Sequence, residues 1–79
     1  MTIEPLIVRT AGICGGRARI AGTRIPVWML VESRDDGCSD EEILSNYPFL
    51  SQLALSTAWE YARTHEREIR KQIKENQDA

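Results

Sequence analysis

A chain of 79 residues is one small domain with no room for a second. Its 42% hydrophobic residues are enough for a core, and 28% charged is ordinary for a soluble protein. The net charge of -2 excludes a uniformly basic coat for nucleic acid, so any anion-binding surface has to be local.

A core of this size supplies about 3–5 kcal/mol, so a staple or self-association is expected. Cys14 and Cys38 show no Cys-x-x-Cys and no Cys/His metal spacing, which predicts two free thiols and no metal or other cofactor. Met1 to Val8 lacks the basic start and the long apolar run of an export signal, and no stretch approaches the ~20 apolar residues of a membrane span. The expectation is a cytoplasmic protein, away from membranes, that gains stability as a homodimer.

In chain order, Leu6-Ile7-Val8-Arg9-Thr10 reads as a short strand rich in β-branched residues, broken by Ala11-Gly12 and again by Gly15-Gly16. The segment from Gly16 to Val27 then concentrates Arg17, Arg19 and Arg24 around a Gly22-Thr23 turn and closes on Pro26. Guanidinium forks in such a cluster suit phosphate or carboxylate partners. The bland alternative is that they pair with the acidic middle of the same or a neighbouring subunit. Residues 1–25 are thus expected to form a β-rich basic arm, and residues 26–76 a helical core.

Pro26 fits the first turn of a helix, where its missing N–H is not needed. That helix is predicted over residues 27–35, with Val27, Leu30 and Val31 on one face, Arg34 at its rim and Gly37 as the stop. Ser39-Asp40-Glu41-Glu42 is a capping box: Ser39 and Glu42 stand at the spacing that satisfies the first backbone donors reciprocally. The helix it opens is predicted over residues 40–46, burying Ile43, Leu44 and Tyr47 and stopping before Pro48. Ser51 caps the next helix. From there Leu53, Ala54, Thr57, Ala58, Tyr61, His65, Ile69 and Ile73 hold an apolar stripe at spacings of three and four. This predicts one long helix, or two with a soft joint near Thr64.

Three helices with short connections, a short one between two longer ones, is the layout of a helix-turn-helix trio. Ser51, Gln52 and Ser56 stand in the first turns of the candidate recognition helix and can hydrogen-bond to base edges. These turns hold no lysine or arginine, so phosphate neutralisation falls to Arg17, Arg19 and Arg24. The charge is unevenly spread. Residues 35–62 carry Asp35, Asp36, Asp40, Glu41, Glu42 and Glu60 and no basic residue, while five of the ten basic residues precede them. Three bland readings are kept beside these. Cys14, Cys38 and His65 have nothing that orients a base towards a thiol, which points away from catalysis. Trp28 and Trp59 suit a core or subunit contact better than base stacking. Asp35-Asp36 and Glu41-Glu42 read as a solvated loop and a helix start, not as metal ligands.

Ile20-Ala21-Gly22-Thr23-Arg24-Ile25-Pro26-Val27, Gly37-Cys38-Ser39-Asp40-Glu41-Glu42-Ile43-Leu44 and Asn46-Tyr47-Pro48-Phe49-Leu50 together closely resemble the domain-of-unknown-function family 433. The resemblance runs from about Ile13 to Ile73, with Ala18 where relatives often carry proline. It implies a mainly α protein: a homeodomain-like three-helix core with a short N-terminal β-hairpin or arm. It also implies an antitoxin of a two-protein pair, which neutralises a toxin of PIN-like nuclease fold and binds its own promoter DNA. Without the DNA, the alternative is a protein-binding adaptor.

Overall fold

The computed structural model describes residues 6–79, so the first five residues of the expected basic arm lie outside the described residues. Among the described residues the chain is mainly helical, with a two-stranded antiparallel sheet ahead of four helices. Strand β1 (Ile7–Val8) pairs with β2 (Arg19–Ile20) in the register Ile7 to Ile20 and Val8 to Arg19. A single 3-10 turn at Cys14–Gly16 sits in the connection.

A second tight reversal follows β2. Ile20 N–H donates to Ile25 O (2.9 Å), Val27 N–H to Ala18 O (2.9 Å), and Pro26 forms a bridge with Arg19. At its tip Thr23 N–H donates to Ile20 O (3.1 Å), and Gly22 takes the positive φ of 77° that such a turn needs. The Thr23 hydroxyl donates to Ile20 O (2.8 Å) and accepts from Ile25 N–H (3.0 Å), clamping the turn from its own side chain. Pro26 therefore ends an extended segment and caps the next helix instead of occupying its first turn: its φ of -73° and ψ of 150° are extended.

Helix α1 (Val27–Asp35) runs over the residues expected. Its end is a Schellman motif: Cys38 N–H donates to Ser33 O (3.1 Å), Gly37 N–H to Arg34 O (3.0 Å), and Gly37 has a φ of 98°. Helix α2 (Asp40–Asn46) opens on the capping box, with Ser39 Oγ accepting from Glu42 N–H (3.2 Å) and Ser39 N–H reaching Glu42 Oε1 (3.4 Å). Tyr47 and Pro48 end it, and Leu50 N–H folds back to Tyr47 O (2.8 Å). Ser51 Oγ accepts from Ala54 N–H (3.0 Å) to cap α3 (Gln52–Thr64), and α4 (Glu66–Gln77) follows.

The joint expected near Thr64 falls at His65, whose φ of -127° and ψ of 38° leave the helical region. The Thr64 hydroxyl bonds back to Glu60 O (3.2 Å) and Tyr61 O (3.1 Å), and the His65 ring stacks on Tyr61 at 3.9 Å. Side chains thus compete with the backbone where the helix would continue.

Helix α1 is the hub, packing against α2, α3 and α4, while β1 packs on α3. The largest fully buried side chains are Val27, Leu30, Val31, Ile43, Leu55 and Ile69. The face that α3 buries differs from the predicted stripe. Ala54, Leu55, Ala58 and Ala62 point inward, whereas Leu53 is 67% exposed and His65 lies at the surface. The buried face is turned by about one residue, or 100°. Trp28, Leu30 and Val31 on α1 are bulky, and close packing of the two helices sets small alanines opposite them.

Candidate functional site

The three arginines expected to face an anion have three different fates. Arg17, which caps the 3-10 turn, reaches across to α4, where its Nη2 lies 2.6 Å from Glu75 Oε2. The pairing with the chain's own carboxylates therefore holds for Arg17, but its partner is on the last helix and not in the acidic middle. Arg19, on β2, is only 8% exposed. Its Nη1 donates to Thr23 O (3.0 Å) and Ile20 O (3.4 Å), its Nη2 donates to Thr10 Oγ1 (3.1 Å), and its Nε has no partner. It does not face outward as expected, because the carbonyls of the Ile20–Thr23 turn converge on its guanidinium. Arg24, one residue beyond the turn, is exposed and makes no ion pair among the described residues.

The other cations are distributed by the same packing. Arg9 leaves β1 towards the α3–α4 joint, where its Nη2 lies 2.5 Å from Glu68 Oε1 and also donates to the Tyr61 hydroxyl. The Tyr61 hydroxyl in turn donates to Glu68 Oε2 (2.8 Å). Partial burial pushes the Glu68 carboxyl up, but the Tyr61 hydroxyl and the Arg9 guanidinium together outweigh it and hold the group below its ordinary value. Burial, then the Glu68 carboxylate, push the Tyr61 phenol up. Arg70 pairs with Asp35, Arg63 with Glu60, and Arg34 lies over the Trp59 ring at 4.2 Å. Arg67, Lys71 and Lys74 stand at helical spacing on the solvent side of α4.

The candidate base-reading residues do share one end of α3: Ser51, Gln52 and Ser56 are all exposed. Ser51 spends its oxygen on the cap. The same end carries Leu53 and, in the turn before it, Phe49, which is 68% exposed and meets Tyr47 edge to face at 6.3 Å. Helical periodicity places Leu53 in the buried stripe, so sequence alone does not reveal this exposed pair. Phe49 follows a proline that ends a helix and stands four residues before Leu53, a signal available only once the buried face of α3 is known.

The aromatic residues divide as their burial dictates. Trp28 is in the core at 9% exposure, whereas Trp59 donates its Nε1 proton to Asp40 Oδ1 (3.1 Å) and ties α3 to the start of α2. Cys14, at a positive φ of 51°, directs its thiol to Arg24 O (3.4 Å), and both cysteines are free. Among the described residues no three His, Cys, Asp or Glu side chains are grouped to hold a metal ion, and no helix is long and apolar enough to cross a membrane.

The profile of the DUF433 family, proteins of unknown function, matches residues 7–62. The chain belongs to the DUF433 family. A DUF433 member from Anabaena variabilis ATCC 29413, known from a crystal structure at 2.00 Å resolution, is similar over 86% of this chain and 67% of its own, with 48% identity and a TM-score of 0.85. No curated protein matches the chain. The family match holds the hairpin, α1, α2 and nearly all of α3, and so takes in Arg19, Gly22, Thr23, Arg24, Phe49 and Leu53.

Proposed function

We propose that this DUF433 protein is the antitoxin half of a two-protein pair and acts by direct contact with a protein partner, a nuclease of PIN-like fold. The observation that carries this reading is the exposed apolar pair Phe49 and Leu53, 68% and 67% accessible, at the α2–α3 turn. Two large apolar side chains left exposed within four residues of each other on so small a protein suit a protein interface. The exposed polar residues Ser51 and Gln52 lie between them in the chain and can hydrogen-bond at the edge of such a contact. The role is one of binding and not of catalysis, in a reducing cytoplasm where Cys14 and Cys38 stay free.

Two versions of this reading differ over DNA. In the autoregulating version α1, α2 and α3 act as a homeodomain-like trio in a homodimer, Arg24 meets phosphate, and Gln52, Ser51 and Ser56 meet base edges. In the other, the protein is an adaptor with no DNA affinity. The ion pairs of Arg9 with Glu68 and Arg17 with Glu75 favour the adaptor, because each phosphate contact along a DNA track needs a cation that is not already committed.

Co-expression with the product of the neighbouring gene tests both. A stable complex that suppresses nuclease activity is expected, and its absence would remove the antitoxin reading. Anisotropy titration of the upstream DNA, with and without the partner, separates the versions: salt-sensitive binding selects autoregulation and no binding selects the adaptor. Sedimentation of the protein alone reads the expected homodimer.

A further inference from the structure

A recess of about 380 Å3 opens beside the Ile20–Thr23 turn, lined by Ile13, Arg19, Gly22, Thr23 and Arg24. Two of its five lining residues are arginines, and none is acidic. Arg19 is the unusual one. It is a cation more than nine-tenths buried, with no carboxylate against it among the described residues. Carbonyl oxygens and a threonine hydroxyl occupy three of its donor directions, and its Nε–H has no acceptor. A buried charge offset only by neutral dipoles, with a donor left over, is costly in a finished core. An anion in the recess that Arg19 lines would offset that charge.

The rest of the recess fits the same chemistry. Arg24 brings a second guanidinium to the mouth, exposed and without an ion-pair partner among the described residues. Gly22 has open space where a side chain would project, so the approach stays clear. The Thr23 hydroxyl is already committed to the backbone of the turn and fixes the main chain between the two arginines. Arg9 and Arg17, which would have to extend this charge into a track, are tied to Glu68 and Glu75. One oxyanion is therefore matched here, and a run of phosphates is not.

We infer that the Arg19–Arg24 recess binds a single oxyanion, a phosphate or carboxylate group, between its two guanidiniums. The site does not rest on the protein contact proposed at Phe49 and Leu53; it shares Arg24 with the autoregulating version, and the titration with free anions reads it without DNA or partner. The test is a 15N NMR titration of the full chain with inorganic phosphate and, separately, with acetate, both at ionic strength held constant with chloride. Saturable shifts are expected at the Arg19 Nε–H and at the Gly22 and Thr23 amides. Arg24→Ala, at an exposed position, should weaken binding at least tenfold, while Arg67→Ala on α4 should leave it unchanged. Saturation by phosphate alone assigns the site to phosphate groups, and saturation by acetate extends it to carboxylates. Shifts no larger than those from chloride, or equal affinity in Arg24→Ala, would overturn the inference.

Discussion

Glu68 shows how one surface carboxylate is made structural. It takes the proton of the Tyr61 hydroxyl and the charge of Arg9, and so links β1, α3 and α4 at one point. Its carboxyl is held below the ordinary value in the folded chain. The stabilisation is therefore complete above the ordinary glutamate range and is lost as pH falls through the lowered folded value. Glu68→Gln should cost about 1 kcal/mol at neutral pH, the usual worth of a hydrogen bond to a charged group at a part-exposed site. Urea unfolding followed from pH 7 to about 3 should show wild type and variant converging at the acid end. A gap that stays constant across that range would disprove the linkage. Residue-level roles of this kind were hard to read from sequence. Arg17, Arg19 and Arg24 look alike there, and what separates them is which carbonyl or carboxylate a distant turn or helix brings alongside.

Helix boundaries were legible because their causes are local. The Ser39–Glu42 box, the Gly37 stop and the Ser51 cap each act within four residues, and α1 and α2 fall at the expected residues. Which face α3 buries depends on its neighbour, and there the apolar stripe misled. Leu53 offers far more apolar area than an alanine, yet bulky α1 packs against the alanines. Replacing Leu55 with Ala should cost about 2–5 kcal/mol, while Leu53→Ala should stay within about 0.5 kcal/mol. Thermal or denaturant unfolding decides between the two faces, and the opposite order would mean the register is wrong.

For the whole molecule, the Phe49–Leu53 pair separates folding from recognition. Both side chains lie largely in solvent, so the double change Phe49→Ser with Leu53→Ser should leave the unfolding midpoint near that of the parent. If the proposed protein contact is made there, the same change should lower affinity for the partner by more than tenfold in a pull-down or calorimetric titration. Unchanged affinity would move the interface elsewhere.

The two ion pairs between the first hairpin and α4 have a mechanical outcome. Arg9 is fastened at Glu68 and Arg17 at Glu75, two helical turns further on, so the β-segment is laced along the last helix. That helix lies beyond the residues the family profile spans, yet it anchors segments that lie within them. Deleting the final turns should slacken residues 7–17, read as faster amide exchange in that segment alongside α4.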